Sequence, residues 1–203
     1  LTNPTVGTLE NRLTELEDGA MCVALSSGTS SVMYSLINIM SQGDNFITDT
    51  QLYGGTFTMF TNILPEFGIT CKKVDTTDLD LVEKSIDKNT RAIYVETITN
   101  PGLVVADIEG LSKVAHSKGI PLIVDATFTT PALQKSLDFG ADIVVHSLTK
   151  WMSGHGRVIA GAVIEKGGFE WGNGNFPLYD TPDTSYGGMR WGHDLGDLSA
   201  VAY

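Results

Sequence analysis

Residues 122–150 read LIVDATFTTPALQKSLDFGADIVVHSLTK, and this stretch decides the fold. It contains two short apolar runs, at 122–124 and 143–145, and each run ends in polar residues. Short runs rich in Val and Ile predict buried strands. Similar runs alternate with segments of helical spacing along the chain, which predicts an α/β doubly wound fold with a mainly parallel sheet.

The predicted strands are 21–25, 45–48, 69–74, 92–96, 122–125, 143–146 and 158–164, and the predicted helices are 8–18, 28–40, 54–64, 79–86 and 108–117. From about residue 165 the sequence becomes irregular and rich in Gly and aromatic residues. Parallel α/β sheets bind ligands at the carboxyl ends of their strands. Glu96, Asp125 and Ser147 all fall at such ends, so we expect the functional site there.

The two apolar runs of the opening stretch lead to a carboxylate and an amine. Asp125 ends the first run, and Lys150 follows the second run in a Ser-Leu-Thr-Lys sequence. Pyridoxal 5′-phosphate (PLP) needs a carboxylate that keeps its ring nitrogen protonated and a lysine that binds its aldehyde. Either residue alone is more typical of a turn cap or a solvated surface lysine. Together they predict a PLP site.

Hydroxyl and glycine residues supply a candidate phosphate site. Ser26-Ser27-Gly28-Thr29 joins a predicted strand to a predicted helix, where free backbone N–H groups bind anions. Ser147 and Thr149 flank the lysine loop and offer two more donors. Taken alone, Ser-Gly before a helix is more often an ordinary helix N-cap, and the structural alternative for Ser147 and Thr149 is capping of the turn.

Three further residues are candidates for the same site. Tyr53 precedes the pair Gly54-Gly55, and a tyrosine there can stack on a flat ring and reach the substrate with its hydroxyl. Glu96 and Asn100 form a polar cluster after the fourth predicted strand. A core aromatic residue and a plain turn are the structural alternatives.

Composition and missing motifs exclude several functions. The net charge of −11 argues against nucleic-acid or anionic-membrane partners. The Gly-x-Ser-x-Gly, phosphate-loop and Gly-x-Gly-x-x-Gly motifs are absent from the sequence. His146 and His155 flank Lys150, but no third metal ligand has suitable spacing, so no metal is expected. Cys22 and Cys71 lie in apolar surroundings, which predicts a reduced cytoplasmic protein.

The motifs occur in one order: Asn3-Pro4-Thr5, Leu9-Glu10, Leu16-Glu17, Ser26-Ser27-Gly28, Tyr53-Gly54-Gly55-Thr56, Glu96-Thr97, Asn100-Pro101, Asp125-Ala126-Thr127-Phe128 and Ser147-Leu148-Thr149-Lys150. This series resembles the Cys/Met-metabolism family of PLP-dependent enzymes. The resemblance implies the large domain of an aspartate-aminotransferase-like fold. Ala126 departs from the family pattern, which usually has Asn there, and this change is expected to loosen the setting of Asp125.

The resemblance also implies roles for individual residues. Lys150 would hold the cofactor covalently and act as the catalytic base, with Asp125 on the ring nitrogen and Tyr53 stacked on the ring. The phosphate would lie among Ser27, Gly28, Thr29, Ser147 and Thr149. Asn100 would lie near the ring oxygen, with Glu96 beside it.

Within the family, the irregular segment and Gly55 resemble the O-acetylhomoserine sulfhydrylase branch. This implies replacement of acetate on O-acetyl-L-homoserine by sulfide or a thiol, giving homocysteine or methionine. A cystathionine γ-synthase or γ-lyase, a methionine γ-lyase and a catalytically inactive fragment remain alternatives.

The resemblance further implies a larger assembly. Residues 1–203 are expected to form the PLP-binding large domain, with 165–203 as an irregular insertion and the start of a following segment. The family's Tyr-x-Arg pair would precede Leu1, and its small C-terminal domain would follow Tyr203, so truncation at both ends is expected. The implied oligomer is a homotetramer built as a dimer of dimers.

Overall fold

The computed structural model describes residues 3–195, and within them seven strands form one mixed sheet in the order β1-β7-β6-β5-β4-β2-β3. Strands β2 to β6 run parallel, while β7 is antiparallel to both of its neighbours, β1 and β6. The strands are β1 Met21–Leu25, β2 Asn45–Asp49, β3 Thr70–Val74, β4 Thr90–Glu96, β5 Leu122–Asp125, β6 Ile143–His146 and β7 Gly161–Glu165. The predicted fold class is therefore confirmed. Strand β7 begins three residues later than the sequence predicts.

Helices connect and cover the strands. They are α1 Pro4–Glu17, α2 Gly28–Ile37, α3 Gly54–Thr58, α4 Leu79–Ser85, α5 Ile108–Ser117, α6 Thr130–Leu133, α7 Pro177–Asp180 and α8 Trp191–Asp194. Helix α1 begins four residues before the predicted start, because the Asn3 side chain accepts hydrogen bonds from the N–H groups of Thr5 and Val6. The predicted helix 54–64 is divided: α3 passes into a π-helical turn at Met59–Ile63 and a 3₁₀ turn at Leu64–Phe67.

The sheet separates two apolar cores, as expected for a doubly wound fold. One core contains Phe46, Phe60 and Tyr94, and the other contains Ile93 and Val124. Neighbouring residues of β4 therefore point to opposite faces, with Tyr94 on one side and Ile93 on the other. This alternation places Tyr94 and Glu96 on the same face of β4.

The irregular segment after β7 packs against the first of these cores. Trp171, Phe176 and Tyr179 are almost completely buried there, and the Trp171 indole donates to Glu165 Oε1 at 2.8 Å. Residues 196–203 of the predicted irregular segment lie outside the described residues. Among residues 3–195, no helix combines the length and apolar character that crossing a membrane requires.

Candidate active site

An open cleft of about 610 Å³ lies at the carboxyl ends of the parallel strands. Its lining includes all ten residues predicted as site residues: Ser27, Gly28, Thr29, Tyr53, Glu96, Asn100, Asp125, Ser147, Thr149 and Lys150. The sheet brings them together because β4, β5 and β6 are neighbours that end at the same edge. Their chemical roles remain predictions.

Asp125 lies at the end of β5, directly paired with Glu96 on β4. Its Oδ1 accepts a hydrogen bond from the Thr127 N–H at 3.0 Å, and its Oδ2 accepts one from the Tyr94 hydroxyl at 3.2 Å. The side chain is half-buried and also lines the cleft. Ala126 is completely buried and has no polar side-chain atom. The two donors that hold the Asp125 side chain are therefore Thr127 and Tyr94.

The start of α2 forms one end of the cleft. Ser27 caps this helix by accepting a hydrogen bond from the Ser30 N–H at 3.0 Å. The first N–H groups of a helix have no partner within it and favour an anion. A Cβ atom on Gly28 would come within 2.4 Å of Ser147 Cβ, so only glycine allows α2 to approach the β6 loop this closely.

The loop that carries Lys150 is braced by its neighbours. The Thr149 hydroxyl donates to the Ala160 carbonyl oxygen at 3.2 Å and accepts from the Ala160 N–H at 3.1 Å. The Ser147 N–H donates to Thr127 Oγ1 at 2.8 Å. Thr149 therefore closes the loop in this structure, and a phosphate would compete with Ala160 for its hydroxyl proton. Lys150 is exposed to the cleft.

Glu96 lines the cleft and links the loops that follow β2 and β4. Its Oε1 accepts from the Tyr53 N–H at 2.7 Å, and its Oε2 accepts from the Asn100 N–H at 2.9 Å. Burial raises the pKa of Glu96 to about 7, with the Tyr53 and Asn100 N–H groups opposing the rise and the charges of Asp125 and Asp49 adding to it. Tyr53 as a residue remains 47% exposed, and it lines the cleft.

Several residues of this site are not among the ten that the sequence predicts. Thr56, Thr127, Phe128 and Trp151 also line the cleft, and Tyr94 holds Asp125 from below. A period of two along β4 places Tyr94 on the face of Glu96, two residues before it, but does not show that its hydroxyl reaches Asp125.

The two histidines near Lys150 do not form a metal centre. His146 is completely buried, and its Nε2 pairs with Glu17 Oε1 at 2.5 Å. His155 is exposed and contacts the Ser153 carbonyl oxygen. In the described part of the chain, no group of three or more His, Cys, Asp or Glu residues is arranged to hold a metal ion.

Residues 1–187 match the family model described as Cys/Met metabolism PLP-dependent enzyme. The chain belongs to this family. The family and its cofactor, PLP, were both expected from the sequence and are confirmed.

Curated relatives agree with this membership. The chain is 42% identical to a homocysteine synthase from Schizosaccharomyces pombe over 200 residues, which cover 97% of the chain and 47% of the relative. It is 43% identical over 196 residues to an O-acetyl-L-homoserine sulfhydrylase from Leptospira meyeri, covering 97% of the chain and 44% of the relative. An L-methionine gamma-lyase from Fusobacterium nucleatum is 50% identical over 165 residues, covering 81% of the chain and 42% of the relative. The chain thus spans about half the length of the curated relatives it matches.

Solved structures share the fold. A Campylobacter jejuni structure assigned as an O-acetylhomoserine (thiol)-lyase superposes with a TM-score of 0.94 at 37% identity, covering 99% of this chain and 51% of that one. That structure contains N′-pyridoxyl-lysine-5′-monophosphate. The O-acetylhomoserine sulfhydrylase of Wolinella succinogenes superposes with a TM-score of 0.85 at 38% identity, covering 98% of this chain and 54% of that one.

Proposed function

We propose that the ten predicted residues hold PLP in the cleft, and that the whole protein is an O-acetylhomoserine sulfhydrylase. The observation that carries the proposal is that Lys150, Asp125 and the start of α2 line one cleft. The donors at α2 suit a phosphate, the Asp125 carboxylate suits a ring nitrogen, and the exposed Tyr53 ring suits a flat partner. The close approach of Gly28 to Ser147 shapes the phosphate end.

When bound, PLP supplies an electron sink for the pair of electrons released at the substrate Cα. Lys150 first holds the cofactor through its Nζ, and its free amine then removes the protons at Cα and Cβ. The Asp125 carboxylate, which lines the cleft, would hold the ring nitrogen in its protonated form and balance its charge. Tyr53, which also lines the cleft, would stack on the ring and assist at the leaving group. One flexible amine can serve both neighbouring carbons because lysine has a long side chain.

The proposed reaction replaces the acetate of O-acetyl-L-homoserine with sulfide or a thiol. The Cγ–O bond breaks, acetate leaves, and a Cγ–S bond forms, giving homocysteine or methionine. The names of the full-coverage relatives support this choice. Their alignments extend through the segment after β7, whereas the methionine gamma-lyase alignment covers 81% of the chain.

A γ-elimination on L-methionine is the second candidate. It is favoured by the higher identity, 50%, to the Fusobacterium enzyme over the aligned part. Comparing turnover of O-acetyl-L-homoserine plus sulfide with turnover of L-methionine separates the two. The cystathionine enzymes of the family are tested in the same way with cystathionine.

The domain organisation, the oligomeric state and the location of the whole protein are also proposals. Residues 1–203 would be the PLP-binding large domain, and the small C-terminal domain would lie in the rest of the whole protein. The proposed homotetramer rests on the family resemblance alone, and the proposed cytoplasmic location rests on the free thiols of Cys22 and Cys71. Size-exclusion chromatography with light scattering on the whole protein tests the tetramer.

The variant Lys150→Ala tests the central role. We expect reduction of the wild-type protein with borohydride to fix one pyridoxyl group on the peptide that contains Lys150. The variant should lose this labelling and at least about 10³-fold in turnover, because both attachment and proton transfer depend on the same amine.

The matched control is Lys113→Ala, which removes an exposed lysine of α5 that pairs with Glu109. It should keep both labelling and turnover. Labelling of a different lysine in the wild-type protein, or substantial activity in Lys150→Ala, would contradict the proposal.

A further inference from the structure

Tyr94 is a completely buried tyrosine whose hydroxyl reaches the candidate active site. It lies on the interior strand β4, and its hydroxyl donates a hydrogen bond to Asp125 Oδ2 at 3.2 Å. Tyr94 is not among the residues that line the cleft. Any effect that it has on a ligand must therefore act through another side chain.

The Tyr94 ring is held firmly in place. The Phe60 ring packs edge-on against it, with 5.1 Å between the ring centroids and an interplanar angle of 85°. Both rings are within the apolar core that also contains Phe46. Because the Tyr94 ring is packed within this core, the direction of its hydroxyl is set by core packing and not by solvent.

The hydroxyl acts as a donor to the carboxylate. Burial raises the pKa of Tyr94 well above its ordinary value of 10, and the charges of Asp125 and Glu96 add to this rise. The phenol therefore stays protonated, and a buried hydroxyl proton needs an acceptor. The Thr56 side chain also hydrogen-bonds with this hydroxyl, which connects α3 with β4 and β5.

The two oxygens of Asp125 are held from two directions. The Thr127 N–H donates to Oδ1, and Tyr94 donates to Oδ2. These two donors fix the rotation of the carboxylate about its Cβ–Cγ bond. The Thr127 hydroxyl in turn accepts from the Ser147 N–H, so the orientation of Asp125 is coupled to the loop that carries Lys150.

We infer that Tyr94 is a positioning residue that orients the Asp125 carboxylate toward the ring nitrogen of the cofactor. This inference rests on the proposed function for the identity of the ligand. The contact between Tyr94 and Asp125 is a property of the protein without cofactor, so it is testable separately. A hydroxyl that donates to a carboxylate forms a charge-assisted hydrogen bond, and at 3.2 Å this one is longer than the strongest bonds of that class.

The test is Tyr94→Phe in the whole protein, compared with Tyr179→Phe. Both changes remove one hydroxyl from a completely buried tyrosine. The Tyr179 hydroxyl accepts from Asn38 Nδ2 at 3.0 Å and belongs to the segment after β7. The control therefore reproduces the loss of a buried hydrogen bond away from Asp125.

Two readouts are needed. In the protein without PLP, hydrogen exchange at the Thr127 amide should become about tenfold faster in Tyr94→Phe, because Asp125 loses one of its two hydrogen-bond donors. The exchange rate should stay unchanged in Tyr179→Phe. In the protein with PLP, Tyr94→Phe should raise the Kd of PLP by about three- to tenfold and alter the visible circular dichroism of the bound cofactor.

The outcomes separate the two hypotheses. A wild-type protein that binds no PLP overturns the proposed function, while the exchange rate of Thr127 still decides whether Tyr94 holds Asp125. A wild-type protein that binds PLP, together with a Tyr94→Phe variant of unchanged Kd and spectrum, overturns the inference. Equal effects of both variants on the spectrum also overturn it, because they would reflect general destabilisation.

Discussion

Glu96 is a buried carboxylate whose protonation depends on the fold around it. It is 5% exposed, and burial is the largest cause of its raised pKa of about 7, compared with an ordinary value of 4.5. The folded state therefore binds a proton more readily than the unfolded state between these two values. This stabilising contribution is complete below pH 4.5 and is lost as the pH rises through 7.

The variant Glu96→Gln should remove this pH dependence. Between pH 4.5 and 7, we expect the wild-type protein to lose roughly 3 kcal/mol of unfolding free energy relative to the variant, since one pKa unit corresponds to about 1.4 kcal/mol. Chemical denaturation at a series of pH values measures this difference. Parallel stability curves for the two proteins would show that Glu96 titrates normally.

The residue scale also marks the limit of what the sequence could predict. Asp125, Lys150 and Glu96 were identifiable because each follows an apolar run that ends at the carboxyl edge of the sheet. Tyr94 was not identified, because its role depends on the contact of its hydroxyl with the Asp125 carboxylate on the neighbouring strand β5. Such a contact is set by the side-chain geometry of β4 and β5, and the spacing of residues along one strand does not contain it.

At the scale of elements, the contact between α2 and the loop after β6 shapes the end of the cleft where we propose that the phosphate binds. A Cβ on Gly28 would lie 2.4 Å from Ser147 Cβ and 2.7 Å from Ser147 Oγ. Alanine at this position must push the start of the helix away from the loop. The N–H groups of α2 would then no longer converge with Ser147 on a phosphate.

We therefore expect Gly28→Ala to weaken PLP binding by at least about tenfold, the loss of about one charge-assisted hydrogen bond. Titration of the visible absorbance with PLP measures the affinity. The control is Gly7→Ala within α1, where a new Cβ meets no atom within 4 Å. Unaltered affinity in Gly28→Ala would mean that the helix start takes no part in binding.

The elements themselves were predictable to different degrees. Strands β5 and β6 match the predicted bounds because short Val- and Ile-rich runs have few alternatives in a buried sheet. The stretch after Tyr53 was harder, since its apolar spacing fits an α-helix although the backbone widens into a π-helical turn before Pro65. Local spacing does not reveal such a change, which depends on how Met59 and Phe60 enter the core.

At the scale of the whole molecule, cofactor binding should stabilise the fold. A ligand that binds only the folded state at 100 times its Kd adds about 2.7 kcal/mol, or about 5–10 °C in Tm for a protein of this size. We expect PLP to raise the Tm by this amount in differential scanning fluorimetry. Pyridoxal, which lacks the phosphate, should raise it less, and equal shifts from the two compounds would argue against a phosphate site at α2.

The position of β7 has a consequence for how the protein is made. Strand β1 lies at the edge of the sheet, where it pairs with β7 through register partners such as Leu25 and Gly161. A ribosome releases β1 and α2 early, yet among the described residues the strand that pairs with β1 is β7, which emerges much later. The end of the cleft where we propose that the phosphate binds is therefore completed late in synthesis, and a nascent chain shorter than this strand should not yet retain the cofactor.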